Sequence, residues 1–316
     1  MPEALLRVNE LRKDFVVGPM FRRKTVQAIR GVSFVLNKGE TLGLVGESGC
    51  GKSTTGRAAI RLIEPSSGSI EYDGVDLASV GARDMRRLRQ DLQIIFQDPY
   101  ASLDPRMTVE QILTEPLGIQ KIGTSAERRE RVMDIIAEVG LQAAHAARYP
   151  HEFSGGQRQR IGIARSLILN PKMIVADEPV SALDVSVQAQ IINLMQDVKA
   201  KHGMSYIFIS HDLSVVKHIC DRVAVMYLGE VVETASRDAL YEEPLHPYTK
   251  ALMSAIPGRR GAQKRITLKG DIPSPASPPR GCAFHTRCPS AMAICKTTPP
   301  QAIETGGRKV ACHLYN

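Results

Sequence analysis

Tryptophan is absent from this chain of 316 residues, and aromatic residues of all kinds make up only 5% of it. Basic residues are nowhere interleaved with aromatic ones in the way typical of proteins that stack on nucleic-acid bases, so we expect no nucleic-acid partner. Long apolar runs are also missing, because none approaches the roughly 20 residues of a membrane-spanning helix. The segment 1–6 has no basic stretch followed by an apolar core, so we expect no secretory signal. These absences predict a cytoplasmic protein.

The overall composition is that of a globular protein, with 43% hydrophobic and 23% charged residues. At this length it predicts one large domain, or one with an appendage. The net charge of +8 includes two basic runs, at 128–131 and 259–265. We interpret these runs as solvated surface, with attraction to an anionic membrane or to nucleic acid as the alternatives. Six cysteines in a cytoplasmic chain favour a metal site or free thiols over disulfides.

The segment 46–54 fits the pattern G-x-x-x-x-G-K-[ST] of a phosphate-binding loop, or P-loop. Backbone N–H groups can approach a phosphate chain closely only where side chains are small, and three glycines provide that freedom. We expect Lys52 to reach the β- and γ-phosphates and the Ser53 hydroxyl to bind Mg²⁺. An apolar strand at 41–45 precedes the loop and a helix follows it, so the helix dipole favours the anion. The predicted nucleotide contacts are Gly46, Ser48, Gly49, Cys50, Gly51, Lys52, Ser53 and Thr54.

Two acidic residues end the apolar strand at 173–176. A carboxylate at this edge of a sheet can hold the Mg²⁺ of a nucleotide, which suits Asp177, and Glu178 is then placed to act as a general base on water. The alternative is an exposed acidic turn.

A second glycine-rich segment precedes an apolar helix that begins near residue 155. Ser154 is a natural N-cap, and two glycines at a helix start make a second anion site. Two phosphate-binding helix ends in one chain suggest that two chains share each nucleotide. A simple glycine-rich cap is the alternative. The residues of this segment are Ser154, Gly155, Gly156 and Gln157.

The remaining patterns predict an α/β fold with a P-loop core, an antiparallel β subdomain and a helical insertion at about 99–168. The composition shifts near residue 240 to proline, glycine and basic residues. We therefore place the nucleotide-binding domain at 1–240 and a separate small module at 241–316. Four cysteines lie in that module, and nothing in the sequence places it beside the nucleotide.

The motifs occur in the order P-loop, Gln97, the 154–157 segment, Asp177-Glu178 and His211. Across residues 5–235 this order resembles the ATP-binding subunits of ABC transporters. The resemblance implies an ABC ATPase core, with Gln97 in the Q-loop as a Mg²⁺ ligand that couples the ATP site to a membrane partner. It implies that His211 acts at the γ-phosphate.

The same resemblance implies contacts between two such subunits. The 154–157 signature of one protomer would complete the ATP site of the other, and residues 181–184 would form the D-loop across the dimer. Phe15 lies where the family stacks an aromatic ring on adenine. A core phenylalanine is the alternative reading of Phe15.

Two further segments, 96–106 and 244–249, are similar to the ATPases of peptide and nickel importers, and 100–103 resembles the F-type subunit. The resemblance implies a heterodimer with a D-type ATPase, two transmembrane permeases and an extracytoplasmic solute-binding protein. It places the chain peripherally at the cytoplasmic face of the inner membrane. Di- or oligopeptides are the expected cargo, with nickel, glutathione-like thiols and antibiotic peptides as alternatives. Two other function classes are a soluble ABC-type ATPase and a regulatory metal- or redox-binding protein.

The cysteines of the tail have spacers of five, six and sixteen residues, which resembles the C-terminal cysteine module of those importer subunits. Four thiolates can hold a [4Fe–4S] cluster, whereas zinc sites usually use Cys-x2-4-Cys pairs, and the tail has none. We expect the cluster, and zinc, free thiols or disulfides are the alternatives. The expected ligands are Cys282, Cys288, Cys295 and Cys312.

Overall fold

The computed structural model describes residues 3–19, 23–256 and 266–315. The chain divides into two compact units: Met1–Ala78 together with Phe208–Asn316, and Ser79–Ile207. The basic run at 259–265 lies outside the described residues. Over the part that is described, no helix combines the length and the apolar character needed to cross a membrane.

The elements up to the middle of the chain are β1 (Ala4–Val17), β2 (Lys24–Asn37), β3 (Thr41–Val45), α1 (Lys52–Ala59), β4 (Ser67–Tyr72), β5 (Val75–Asp76), α2 (Ala82–Leu88), β6 (Leu92–Ile95), α3 (Pro99–Ser102), α4 (Val109–Ile119), α5 (Ser125–Glu138) and α6 (Gly155–Leu167). The later ones are β7 (Met173–Asp177), α7 (Val185–His202), β8 (Ser205–Ser210), α8 (Leu213–Ile219), β9 (Arg222–Tyr227), β10 (Glu230–Ser236), α9 (Arg237–Glu242), α10 (Pro247–Ser254), β11 (Ala302–Thr305) and β12 (Arg308–Ala311).

An antiparallel sheet in the order β2-β1-β4-β5 opens the first unit. Strands β1 and β2 pair along their whole length, from Ala4 opposite Asn37 to Val17 opposite Lys24. Apolar side chains on one face of this pair are buried, because successive residues of a strand point to opposite faces. They include Leu6, Val8, Leu11, Val32, Phe34 and Leu36. The predicted antiparallel subdomain is therefore present.

The second sheet of this unit contains β11-β12-β10-β9-β3 in that order. Strand β3 pairs in parallel with β9, and every residue of β3 is buried, as expected for a strand covered on both faces. Strand β12 pairs with β10, where Val310 lies opposite Glu233. The C-terminal hairpin of β11 and β12, which belongs to the predicted 241–316 module, extends this sheet by pairing with β10.

The second unit consists of a parallel strand pair, β6 and β7, with helices α2 to α7. The predicted helical insertion appears as α3 to α6. Helices α4 and α5 begin with capping boxes at Thr108 and Thr124, in which each threonine accepts a backbone N–H and the third helical residue reaches back. Strand β8 runs through the boundary between the units, which falls after Ile207.

Candidate functional site

The P-loop connects β3 to α1, and its glycines are required by their surroundings. Gly46 and Gly51 have φ values of 153° and 102°. A Cβ atom on Gly46 would overlap the carbonyl oxygen of Met226, and one on Gly51 would overlap that of Ala28. Cys50 points inward, with 4% of its surface exposed, and burial raises the pKa of its thiol. The loop therefore presents backbone rather than side chains.

Lys52 lies inside the loop. Its side chain is buried, and the ammonium group donates hydrogen bonds to the carbonyl oxygens of Gly46 at 2.9 Å and Glu47 at 3.0 Å. Helix α1 begins at Lys52 itself, so the positive end of the helix dipole lies at the loop. This arrangement suits a phosphate chain, which would take up the charge of both the lysine and the helix end.

Glu47 connects the P-loop to the C-terminal part of the chain. Its backbone N–H donates to the Tyr248 hydroxyl at 2.9 Å. The Arg287 guanidinium donates two hydrogen bonds to its carboxylate, at 2.6 and 3.0 Å. Nothing in the sequence places the tail beside the P-loop, and this contact does so. No motif predicts it, since Tyr248 belongs to a segment that shows only a family resemblance and Arg287 lies in a spacer between two cysteines.

An aromatic cluster surrounds these contacts. Phe284 is 1% exposed, and its ring centroid lies 5.2 Å from that of Tyr227 and 5.4 Å from that of Tyr248. The Arg287 guanidinium lies 5.9 Å from the Tyr227 ring centroid. Neighbouring His246 is also buried, and burial lowers its pKa to about 3. The cysteine-rich tail is thus packed into the core of the first unit.

Two predicted catalytic residues come together in the second unit. The Gln97 side-chain amide donates a hydrogen bond to the Glu178 carboxylate at 3.0 Å. Asp177, at the end of β7, is fully buried. Glu178 has a φ of 47°, a conformation that non-glycine residues rarely adopt and that concentrates at functional sites. The geometry supports an acid–amide pair in which the amide orients the carboxylate.

The 154–157 segment caps α6. The Ser154 hydroxyl accepts the Gln157 backbone N–H, and the Gln157 side-chain oxygen accepts that of Ser154. A Cβ on Gly156 would lie 2.6 Å from Val187 Cγ1, so glycine is needed there for helix packing. Ser154 and Gly155 are exposed, so this helix end is accessible to another molecule.

The two other predicted nucleotide contacts lie at exposed positions of the first unit. Phe15 sits on β1 opposite Val26 with 36% of its surface exposed, and Lys13 Nζ lies 5.2 Å from its ring centroid. The alternative of a core phenylalanine is therefore wrong. His211 is exposed between β8 and Asp212, whose carboxylate caps α8 by accepting the Ser214 N–H at 2.8 Å.

The four tail cysteines are partly or fully buried. Burial raises the pKa of Cys282 to about 11. Burial raises the pKa of Cys288 and Cys312 as well. Among the described residues, however, no group of three or more His, Cys, Asp or Glu side chains has an arrangement that could hold a metal ion. This finding does not support the expected four-cysteine cluster or its zinc alternative in that part of the chain.

Two stretches match known protein families. Residues 29–181 match the family described as ABC transporter, and residues 232–295 match the C-terminal region of the oligopeptide/dipeptide transporter family. The chain is 54% identical over 99% of its length to the oligopeptide transport ATP-binding protein AppF of Bacillus subtilis, 98% of which is covered. It is 56% identical over 95% of its length to a putative peptide import ATP-binding protein of Brucella ovis, of which 94% is covered.

Solved structures show the same fold. A dimeric ATP-binding cassette in a post-hydrolysis state, bound to ADP and phosphate, aligns with a TM-score of 0.66 at 27% identity, over 73% of this chain and 98% of that one. The cbiO1 protein of Clostridium perfringens, described as part of an ABC transporter complex, aligns with the same TM-score and identity over 76% of this chain and 92% of its own.

Proposed function

Because this chain belongs to the family of ABC transporter ATP-binding proteins that carry the oligopeptide/dipeptide transporter C-terminal region, we propose that it hydrolyses ATP to drive import of di- or oligopeptides. The observation that carries the proposal is a P-loop with a buried lysine at the start of α1, in a chain whose relatives over nearly its full length are named for peptide transport. Uptake of nickel, glutathione-like thiols or antibiotic peptides would use the same ATPase chemistry.

In this function, Lys52 neutralises charge on the β- and γ-phosphates, and the exposed Phe15 stacks on adenine. Glu178 orients and polarises the attacking water, Gln97 holds its carboxylate, and His211 acts at the γ-phosphate. A bound Mg²⁺ would offset the negative charge that develops on the phosphates. Hydroxyl, amide and carboxylate oxygens are the ligands that this ion prefers. The residues that would supply such oxygens to Mg²⁺ are Ser53, Gln97 and Asp177.

The exposure of Ser154 and Gly155 supports a shared ATP site. In this proposal the signature segment of one ATPase subunit contacts the nucleotide bound by a second, D-type subunit. The two ATPases drive two permeases, to which a solute-binding protein delivers the peptide. The chain would then lie peripherally at the cytoplasmic face of the membrane.

The tail cysteines suit a [4Fe–4S] cluster, because four thiolates are the ligand set that such a cluster requires. The cluster is larger than a single ion, so its ligands stand farther apart than those of a zinc site. Protein purified without oxygen should contain iron and acid-labile sulfide in near-equal amounts. Cys295→Ser should lose most of the iron, whereas Cys220→Ser, outside the tail, should keep it. Colourless protein with one zinc per chain would reject the cluster.

The test of the ATPase assignment is Glu178→Gln in the assembled transporter. We expect ATP binding to persist and turnover to fall by about 100-fold or more, the scale of general-base catalysis. The matched control is Glu243→Gln, since Glu243 is an exposed glutamate that pairs with Arg308 and belongs to none of the predicted nucleotide-binding motifs. Unchanged turnover in the Glu178 variant would remove this residue from catalysis. Failure to purify with hydrophobic permeases would favour a soluble ABC-type ATPase.

A further inference from the structure

Three groups of Glu47 are held at once. Lys52 donates to its carbonyl oxygen, its N–H donates to the Tyr248 hydroxyl, and its carboxylate accepts two hydrogen bonds from Arg287. Glu47 occupies a position of the P-loop pattern at which any residue is allowed. Its conformation is therefore set in part by two partners outside the loop, Tyr248 and Arg287, which both lie in the C-terminal part of the chain.

Arg287 is itself firmly placed. It directly precedes Cys288, and its backbone N–H donates to the Phe284 carbonyl oxygen at 3.0 Å. The Phe284 ring packs against the rings of Tyr227 and Tyr248, which also contact each other. The Arg287 side chain is only 8% exposed and that of Glu47 is 24% exposed, so water screens this ion pair weakly. A bidentate arginine–carboxylate pair also fixes orientation, which a lysine at the same place cannot do.

We propose that Arg287 is a positioning residue of the ATP site, which ties the P-loop to the cysteine module through Glu47. Two effects follow from the geometry. The guanidinium fixes the peptide groups around Glu47, and one of them contains the carbonyl oxygen to which the Lys52 ammonium donates. It also neutralises a carboxylate that would otherwise repel the triphosphate bound by the same loop.

The two effects can be separated by removing one partner at a time. Arg287→Met loses the anchor and leaves the carboxylate uncompensated, so we expect ATP to bind about tenfold more weakly. Glu47→Gln loses the anchor but also removes the repulsion, so we expect a smaller loss, about threefold. The double variant should match Glu47→Gln, which means that the second change partly restores the binding lost with the first.

ATP affinity is measured by titration of the full chain with a fluorescent ATP analogue, and thermal melting without nucleotide reports on folding. Arg308→Met is the matched control, because Arg308 pairs with Glu243 in the same C-terminal part and, among the described residues, has no hydrogen bond or ion pair to the P-loop. Its affinity should stay at the wild-type value. In the assembled transporter, Arg287→Met should raise the KM for ATP and leave kcat within about twofold.

Wild-type affinity in Arg287→Met would overturn the proposal, and so would a double variant that binds ATP more weakly than Arg287→Met alone. If Arg287→Met does not fold, Glu47→Gln decides by itself, because it leaves the cysteine module unchanged. Affinity equal to or tighter than wild type in that variant would then refute the anchoring role.

Discussion

Replacing Gly51 with alanine tests whether the P-loop backbone is packed as tightly as its geometry indicates. Gly51 has a φ of 102°, and a Cβ there would overlap the carbonyl oxygen of Ala28. Backbone cannot move aside as a flexible side chain can. Conformational strain and overpacking together should lower the free energy of unfolding by about 3 kcal/mol.

Gly39→Ala is the matched control for this prediction. Gly39 has a φ of 71°, but none of the described atoms lies within 4 Å of a Cβ built there. The Gly39→Ala variant has only the conformational strain, which the lower entropy of its unfolded chain partly offsets. We therefore expect its free energy of unfolding to fall by about 1 kcal/mol. Urea denaturation of both variants without nucleotide measures the two losses. Equal losses would refute the close approach of Gly51 to Ala28.

Two further predictions concern acid stability and assembly. Burial lowers the pKa of His246 from 6.5 to about 3. Below pH 6.5 the unfolded chain therefore binds a proton that the folded chain does not, so the free energy of unfolding decreases as the pH decreases. Wild-type protein should lose about 2 kcal/mol more between pH 7 and pH 5 than His246→Asn, which keeps an acceptor for the Tyr248 N–H; equal slopes in urea denaturation would contradict this. ATPase activity of the isolated chain should be low and rise when the second ATPase subunit and the permeases are added, because in the proposed shared site Ser154 would act on another subunit's nucleotide. Full activity of the isolated chain that is independent of its concentration would refute the shared site.

Local chemistry explains which parts of the fold the sequence predicts. The capping box at Thr124 depends on residues three apart, and the P-loop depends on glycine spacing, so both can be read from short segments. The buried strand β3 follows from a continuous apolar run.

Two of the missed features depend on partners distant in the chain. Strand β12 pairs with β10 across more than 70 residues, and Arg287 meets Glu47 across 240. The composition of strand β12 and of the segment around Arg287 does not specify these partners. The left-handed conformation of Glu178 is missed for another reason, because glutamate rarely adopts a positive φ and its residue type does not predict one.

We propose above that ATP hydrolysis by this chain drives peptide import. It is tested most directly by reconstituting the chain with its second ATPase, its permeases and its solute-binding protein in vesicles, and measuring accumulation of a labelled oligopeptide. We predict accumulation that requires ATP and is lost with Glu178→Gln in this chain while ATP binding remains. Peptide accumulation that continues at the wild-type rate with Glu178→Gln, or a transporter that takes up a nickel complex and no peptide, would contradict the account.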